Sequence, residues 1–222
     1  MKNNNKNKQF AVIGLGRFGT SIATTLFKLG HEVLAIDVNE EQVQKISETV
    51  THVVQADTTD ENTLKALGIR NFDVVVVAIG EDIQANVLTT LLLKELGVNY
   101  IVAKARNELH GKMLAKIGAD RVVYPERDMG LRVAHNLVST NVLEYIELSP
   151  DLGVAEITAP KILVGRSLAE TNLRVKYEIN VVAIKRDEAL LVPPPSDEKI
   201  RTGDILILVG QTKGIQKMEE LE

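Results

Sequence analysis

The sequence predicts an α/β protein in which a doubly wound parallel sheet is followed by a smaller α+β domain. In about the first 125 residues, short β-branched apolar runs alternate with longer segments of helical periodicity. This alternation is typical of a parallel sheet with right-handed crossover connections. After Pro125 the chain carries one amphipathic segment and then short runs of alternating apolar and polar residues, which indicate a second, β-rich domain.

These patterns divide the chain into four expected segments. Residues 1–8 are rich in Lys and Asn and lack the apolar stretch of a signal peptide, so we expect a short disordered tail. Residues 9–124 are expected to form the parallel-sheet domain, residues 125–141 a crossover helix, and residues 142–222 the second domain. A length of 222 residues suits one domain of ordinary size and one small domain.

Six strands are expected in the first domain, because each run is almost continuously apolar, as in strands that are buried on both faces. The strands are Phe10–Ile13, Glu32–Ile36, His52–Gln55, Val74–Ala78, Tyr100–Ala103 and Arg121–Tyr124. The helices expected between them are Phe18–Leu29, Glu40–Thr49, Glu61–Leu67, Ile83–Leu96 and Leu109–Ile117. Gly30 and Gly118 follow two of these helices, at a position where a positive φ costs glycine little.

The second part of the chain has a different pattern. One amphipathic helix is expected over Glu126–Thr140 and a short helix over Thr212–Leu221. The strands expected between them are Val142–Leu148, Val154–Thr158, Val181–Lys185, Ala189–Val192 and Asp204–Val209.

Composition excludes several functional classes. The 26 Lys and Arg residues against 30 Asp and Glu give a net charge of −4, so no nucleic-acid partner is expected. The absence of cysteine removes iron–sulfur clusters, thiolate zinc sites and cysteine nucleophiles, and it fits a reducing cytoplasm. The longest apolar stretch, Val74–Ile79, is only as long as a strand, so no direct membrane insertion is expected.

The most informative motif is the glycine fingerprint between the first strand and the first helix, Gly14-Leu-Gly16-Arg17-Phe18-Gly19. In a Rossmann-like domain, Gly14 permits a tight turn, Gly16 lets a phosphate approach the backbone, and Gly19 allows the helix to pack on the strand. The start of the helix then offers oriented N–H groups to an anion. Arg17 adds a positive charge beside this site, suited to phosphate oxygens.

Asp37 ends the second strand, 18 residues after Gly19. A carboxylate at this position accepts hydrogen bonds from ribose hydroxyls and repels a 2′-phosphate, so NADP is disfavoured. ATP and NAD share these contacts, and Asp37 does not separate them. Three further strand ends point to the same crevice, because ligands bind beyond the carboxyl ends of parallel strands. They carry Asp57 and Thr58, then Ala78, Ile79 and Gly80, and then Lys104.

Catalysis is not expected from this sequence. A dehydrogenase needs an acid–base residue near the nicotinamide, but His31, His52, His110 and His135 fall near strand starts or within helices. No Ser/His/Asp or HExxH pattern is present. The chain therefore suits a nucleotide-binding sensor better than an enzyme.

A set of segments carries a family resemblance: FAVIGLGRFG (10–19), VVAIGEDIQAN (76–86), KAR (104–106), KIGAD (116–120), PERDM (125–129) and VAIKR (182–186). In this order they resemble the RCK, or KTN, family, and within it the Ktr-type cytosolic gating subunits of bacterial potassium transporters. The resemblance covers nearly the whole chain from about residue 8.

The resemblance implies a regulatory subunit that is not an enzyme and that lies in the cytoplasm at the inner face of the cell membrane. ATP and ADP would compete for the first domain, with ATP favouring transport and ADP the inactive state. The implied partners are a Ktr-type membrane potassium transporter subunit and further copies of this chain, in dimers that build an octameric ring.

The same resemblance implies roles for individual residues. The three glycines and Phe18 would surround the phosphates, Asp37 would hold the ribose, and Asp57 and Thr58 would lie near the adenosine. Ala78, Ile79 and Gly80 would line the crevice, and Lys104 would lie near the phosphate tail. Arg17 would reach the terminal phosphate bound in the adjacent subunit. Glu126 would help to hold Mg²⁺ or another cation at the dimer interface.

The second domain resembles a module that binds cyclic di-AMP at a dimer interface. The residues implied are Leu173, Arg174, Asn180, Val181 and Pro194. The chain departs from the family pattern at Glu178, where a Gly is common, and in the proline run Pro193–Pro195.

Two other classes of function remain as alternatives. The first is an NAD(H)-binding sensor or NAD-dependent oxidoreductase, because NAD would use the same glycine loop and Asp37. The second is a DNA-binding repressor with the same half-fold, which the acidic composition and the missing helix-turn-helix segment disfavour.

Overall fold

The computed structural model describes residues 8–138, 142–149, 151–219 and 221. The predicted disordered tail, apart from Lys8, lies outside these ranges. The chain divides into two compact units, one up to Glu126 and one from Arg127 onward. Within the described ranges, no helix has both the length and the apolar composition that crossing a bilayer requires.

The first unit is built on a fully parallel sheet with the strand order β3-β2-β1-β4-β5-β6. The order reverses between β1 and β4, which is the switch point of a doubly wound sheet. This confirms the predicted fold class. The strands are β1 (Gln9–Ile13), β2 (Glu32–Asp37), β3 (His52–Gln55), β4 (Val74–Val77), β5 (Ile101–Lys104) and β6 (Arg121–Val123).

Burial on both faces is confirmed for the central strands. Successive residues of β1 belong to different cores, with Ala11 and Ile13 in one cluster and Val12 in the other. The prediction was wrong for the two edge strands, where His52, Gln55 and Arg121 are exposed. An edge strand has only one neighbouring strand and is less completely covered by helices.

The helices of this unit are α1 (Arg17–Lys28), α2 (Glu40–Ile46), α3 (Glu61–Ala66), α4 (Ile83–Glu95) and α5 (Glu108–Ile117), with a 3₁₀ turn at Ile69–Asn71. Gly30 and Gly118 have φ values of +85° and +117°, as expected after a helix end. Helix α2 ends three residues before the predicted Thr49. The Ser47 and Thr49 hydroxyls bond the carbonyls of Gln44 and Ile46, which offers the backbone an alternative to another turn.

The second unit contains an antiparallel sheet with the order β10-β9-β11-β8-β7. Its strands are β7 (Val142–Ser149), β8 (Leu152–Thr158), β9 (Ile179–Arg186), β10 (Ala189–Leu191) and β11 (Ile205–Gln211). Helix α6 (Pro125–Val138) precedes them, and the end of its predicted span, residues 139 and 140, lies outside the described ranges. The sequence did not predict the 3₁₀ turn Lys161–Leu163 or the short helices α7 (Leu168–Thr171) and α8 (Leu173–Tyr177), which are too short to show helical periodicity. Helix α9 (Thr212–Glu219) closes the unit.

A charged network fixes the loop between β10 and β11. Arg186 donates from Nε and Nη2 to the two carboxylate oxygens of Asp204, at 2.8 and 2.9 Å, and from Nη1 to Glu198 at 2.9 Å. Asp204 is 1% exposed. Burial alone would disfavour its charge, but the hydrogen bonds from Arg186 and from the Arg201 amide outweigh burial and lower the pKa of Asp204 below the usual 3.8.

This network predicts an acid-sensitive stability. A carboxyl group whose pKa is lowered by folding stabilises the folded state above its unfolded pKa, and the contribution disappears as the pH falls below about 4. We expect Asp204→Asn to cost about 1.5–3 kcal/mol at pH 7, the value of hydrogen bonds to a charged group. The difference from wild type should shrink as the pH falls below about 4, as measured by thermal unfolding. The exposed Asp197→Asn is the control, and an equal loss in it would contradict the assignment.

Candidate functional site

The glycine loop joins β1 to α1 through two close backbone contacts. Gly14 has φ +92°, donates its N–H to the Ile36 carbonyl at 2.8 Å, and leaves no room for a Cβ, which would lie 2.8 Å from the Ile79 nitrogen. A Cβ on Gly19 would overlap the Gly14 carbonyl oxygen. Packing therefore requires glycine at both positions, and the positive φ is a second reason for it at Gly14.

Gly16 differs from the other two glycines of the fingerprint. Its φ is −66°, which any residue can adopt, and a Cβ placed on it would meet nothing within 4 Å. The fold itself does not require glycine here. The open space lies at the start of α1, where a ligand phosphate would approach the backbone.

The start of α1 is left open to an anion. No side chain caps this helix, and its first turn contains no acidic residue. In contrast, side chains of Asn39, Asp60, Asp82 and Asn107 cap α2, α3, α4 and α5. The first N–H groups of α1 and the partial positive charge of the helix end are thus available to a phosphate.

Asp37 lies at the end of β2 against the glycine loop. Its Oδ2 accepts a hydrogen bond from the Leu15 N–H at 2.5 Å, and its Oδ1 accepts one from the Asn39 N–H at 2.8 Å. The two amides fix the carboxylate in place, and each oxygen keeps accepting capacity for a further donor such as a ribose hydroxyl.

The end of β3 contributes one exposed carboxylate and one buried hydroxyl. Asp57 Oδ1 accepts hydrogen bonds from the Thr59 hydroxyl and N–H, at 2.7 and 2.9 Å, and these bonds lower the pKa of Asp57. Thr58 is buried, and its hydroxyl is hydrogen-bonded to that of Thr89 at 2.9 Å. The Thr58 hydroxyl therefore already has a partner within the fold.

Lys104 and Glu126 form the charged centre of the opposite wall. Lys104 Nζ donates to Glu126 Oε1 at 2.6 Å, lies 5.8 Å from the centroid of the Phe18 ring, and would be 3.3 Å from a Cβ on Gly80. The hydrogen bond from Lys104 lowers the pKa of Glu126, and the charge of Arg17 acts in the same direction. The structure thus brings the predicted residues of the β4 end, the β5 end and the α1 start into one cluster.

The side chains in this cluster differ in accessibility. Lys104 is 12% exposed, whereas Glu126 is 69% exposed. Arg17, the first residue of α1, is also exposed. Within the described ranges, no group of three or more His, Asp or Glu side chains is placed to hold a metal ion. A cation at Glu126 would therefore need ligands from a nucleotide or from another copy of the chain.

Asn86 is the residue of this site that sequence reasoning missed. It is completely buried in α4, and its Nδ2 donates to the carbonyls of Ile79, at 2.6 Å, and Lys104, at 3.1 Å. It therefore links the ends of β4 and β5. The available signal was an amide residue within a mainly apolar helix, in the segment 76–86 that carries part of the family resemblance.

The residues expected to bind cyclic di-AMP lie on α8, β9 and the loop after β10. Arg174 and Asn180 are exposed, Val181 and Pro194 are half-buried, and Leu173 is buried in the core of the second unit. Between α8 and β9, Glu178 has φ +57°, in the left-handed region that favours glycine.

The fold and the site define a two-domain protein, in which a Rossmann-like domain with an open glycine loop is followed by a small antiparallel-sheet domain. The chain matches the TrkA-N domain over residues 10–125 and the TrkA-C domain over residues 153–222. It is 53% identical over 213 residues to the Ktr system potassium uptake protein C of Bacillus subtilis, covering 96% of each chain.

Further comparisons agree with this match. The chain is 50% identical over 214 residues to the Ktr system potassium uptake protein A of Bacillus subtilis, again covering 96% of each chain. It shares the fold of the GsuK RCK domain, with a TM-score of 0.69 at 20% identity; the match covers 98% of this chain but only 48% of that one. The chain therefore belongs to the TrkA-N and TrkA-C family of Ktr-type potassium uptake proteins, as its resemblance to the RCK family predicts.

The glycine loop generates a prediction about folding. Gly16→Ala should leave the melting temperature nearly unchanged, because it meets open space at an ordinary φ. Gly19→Ala should destabilise the protein by several kcal/mol or prevent folding, because its Cβ overlaps the Gly14 carbonyl. Thermal unfolding of both variants without ligand checks this. A melting temperature of Gly16→Ala as low as that of Gly19→Ala would contradict it.

Proposed function

We propose that this chain is the regulatory subunit of a Ktr-type membrane potassium transporter and that it responds to ATP and ADP bound in its first unit. Full-length similarity to Ktr system proteins supports the transport role. The observation that carries the nucleotide response is the placement of Arg17, Lys104 and Glu126 in one charged cluster beside the uncapped start of α1. The proposed role is regulatory and not catalytic.

In this proposal, an adenine nucleotide lies along the site of the first unit. Asp37 would accept hydrogen bonds from the ribose hydroxyls, and the segment at Asp57 and Thr58 would lie beside the adenosine. The phosphates would occupy the space in front of Gly16, where the α1 N–H groups point. The phosphate tail would then lie in front of Gly80 and Lys104.

Arg17 supplies the discrimination between ATP and ADP in this proposal. It is exposed at the start of α1, so it can reach a phosphate bound by an adjacent copy of the chain. A ligand shifts an assembly between two states only through its different affinities for them. An arginine that meets only the third phosphate across the interface would provide such a difference, and ATP would favour the transport-active state.

Glu126 would have a second role in the ATP state. A phosphate that reaches Lys104 competes with Glu126 for the same ammonium group. The displaced carboxylate and its equivalent in a second copy would repel each other unless a cation lay between them. We therefore place Mg²⁺ or another cation beside Glu126 and the terminal phosphates.

The outward face of α4 supports self-association. The buried side of this helix carries Asn86, Thr89, Thr90 and Leu93, all 0% exposed, while Ile83 and Leu88 are each 37% exposed on its outer side. Together with α5 they form an open apolar groove of about 460 Å³, lined by Ile83, Gln84, Val87, Leu88, Leu91 and Met113. Leu109 is 78% exposed on α5, one turn before Met113. Exposed apolar patches of this kind mark protein–protein contacts, and we assign this groove to the contact between copies in the proposed octameric ring.

The second unit would bind cyclic di-AMP between two copies of the chain. Exposed Arg174 suits a phosphate and exposed Asn180 suits a base or backbone edge. Buried Leu173 would support the site from below and would not touch the ligand. Docking on the transporter would place the chain at the cytoplasmic face of the membrane.

The ATP response is tested by Arg17→Ala. We expect ATP affinity to fall about tenfold or more, because one charge-assisted hydrogen bond to phosphate contributes about 1.5–3 kcal/mol. ADP affinity should change by less than about threefold, since ADP lacks the third phosphate. Isothermal titration with ATP, ADP and NADH, with and without Mg²⁺, measures both.

Lys28→Ala is the matched control, because it removes an exposed positive charge at the far end of the same helix. Equal losses of ATP and ADP in Arg17→Ala would refute the role of this residue. Tightest binding of NADH, with ATP unaffected by Arg17→Ala, would instead support the dinucleotide alternative.

The role of the groove is tested by Leu109→Glu. Placing a charge on the apolar contact should shift the protein from its assembled form to a smaller species at micromolar concentration. Leu29→Glu, at another exposed leucine of the first unit, should leave the assembly unchanged. Light scattering coupled to size exclusion measures the mass, and an unchanged mass for Leu109→Glu would place the contact elsewhere.

A further inference from the structure

The ends of β4 and β5 separate where the ligand would bind. Their ladder pairs Val75 with Ile101, Val76 with Val102 and Val77 with Ala103, and it ends there. Beyond this point β5 continues its pairing with β6, up to Lys104 opposite Val123. Ala78 still donates its N–H to the Ile13 carbonyl of β1 at 2.7 Å, and the segment Ile79–Gly80 then leaves the sheet. Its position relative to Lys104 therefore depends on contacts other than strand pairing.

Asn86 supplies such a contact. Its Nδ2 donates one proton to the Ile79 carbonyl at 2.6 Å and the other to the Lys104 carbonyl at 3.1 Å. The orientation of the amide is fixed by chemistry, because both partners are carbonyl oxygens and only the NH₂ group can donate to them. One side chain thus holds the two strand ends together after the ladder has ended.

Stability is a weak explanation for an amide at this position. Asn86 is 0% exposed, and its Oδ1 is buried without a hydrogen-bond partner among the described residues. A buried acceptor without a partner costs about 1–3 kcal/mol, which offsets much of what the two hydrogen bonds contribute. Asn86 is therefore a buried amide whose burial is costly and which forms hydrogen bonds with two segments of the site. This combination indicates a positioning role.

We propose that Asn86 is a positioning residue for the phosphate tail, setting the distance between the Gly80 segment and the ammonium group of Lys104. Gly80 and Lys104 Nζ are already adjacent, since a Cβ on Gly80 would lie 3.3 Å from Nζ. The inference rests on the proposed nucleotide binding. Among the described residues, Asn86 forms no hydrogen bond with Asp37 or the glycine loop, so the adenosine, the ribose and the first phosphate would be held without it.

The test compares AMP with ADP in Asn86→Leu, which keeps the approximate shape of the side chain and removes both donors. We expect ADP affinity to fall about tenfold while AMP affinity changes less than about threefold, because only the second phosphate reaches the Lys104 side of the site. Asn86→Asp, which has the same shape and at most one proton to donate, is the second variant in case Asn86→Leu does not fold. Isothermal titration gives both affinities.

Thr90→Val is the matched control. Thr90 is also 0% exposed, lies one turn further along α4, and donates its hydroxyl proton to the Asn86 carbonyl at 2.8 Å. It should lower thermal stability modestly and leave the ratio of ADP to AMP affinity unchanged. If substitutions in α4 acted only through general damage to the helix, the ratio of ADP to AMP affinity would change in both Asn86→Leu and Thr90→Val, or in neither of them.

The outcomes separate the two proposals. Parallel loss of AMP and ADP affinity in both Asn86 variants, or wild-type ADP affinity in either, would overturn the positioning role and leave nucleotide binding intact. Failure of the wild-type protein to bind any adenine nucleotide would overturn the proposed function, and the positioning role with it.

Discussion

The close approach of Gly19 to the Gly14 carbonyl is the contact on which the geometry of the first unit depends. It seats the first turn of α1 on the end of β1, so the uncapped N–H groups point into the switch point between β1 and β4. The Asp37 carboxylate holds the same loop from β2 through the Leu15 amide. Backbone contacts thus fix this wall before any ligand arrives, and a preorganised wall binds without the cost of ordering a loop.

The opposite wall is held by side chains. Asn86 links two strand ends that no longer pair, and Lys104 is shared between Glu126, the Phe18 ring and the space beside Gly80. Side-chain contacts can exchange partners at lower cost than backbone packing. One wall of the cleft is held by backbone packing and the other by side chains that can change partners. Such a cleft suits a protein that binds the common part of two ligands in the same way and distinguishes them by the part that differs.

The sheet and the glycine loop could be predicted because their signals are local. Continuous apolar runs identify buried strands, and the spacing of three glycines between strand and helix identifies the loop. The contact between Lys104 and Glu126 could not be predicted in the same way, since it joins residues 22 positions apart through the neighbouring ends of β5 and β6. Asn86 was missed because an amide residue in an apolar helix can have many roles, and only the structure identifies its two carbonyl partners. The short helices α7 and α8 depend on a capping box at Ser167 and on left-handed residues, which periodicity does not reveal.

Lys104 is already paired with Glu126, and this ion pair limits how tightly Lys104 could bind another anion. The ion pair with Glu126 reaches solvent, and such pairs contribute about 1 kcal/mol or less. A phosphate arriving there would replace one anion by another, so the net gain is the difference between two similar attractions. A ligand that gains little over the partner it displaces is released readily. With the proposed function, such a site would follow the changing ratio of ATP to ADP and would not retain whichever nucleotide bound first.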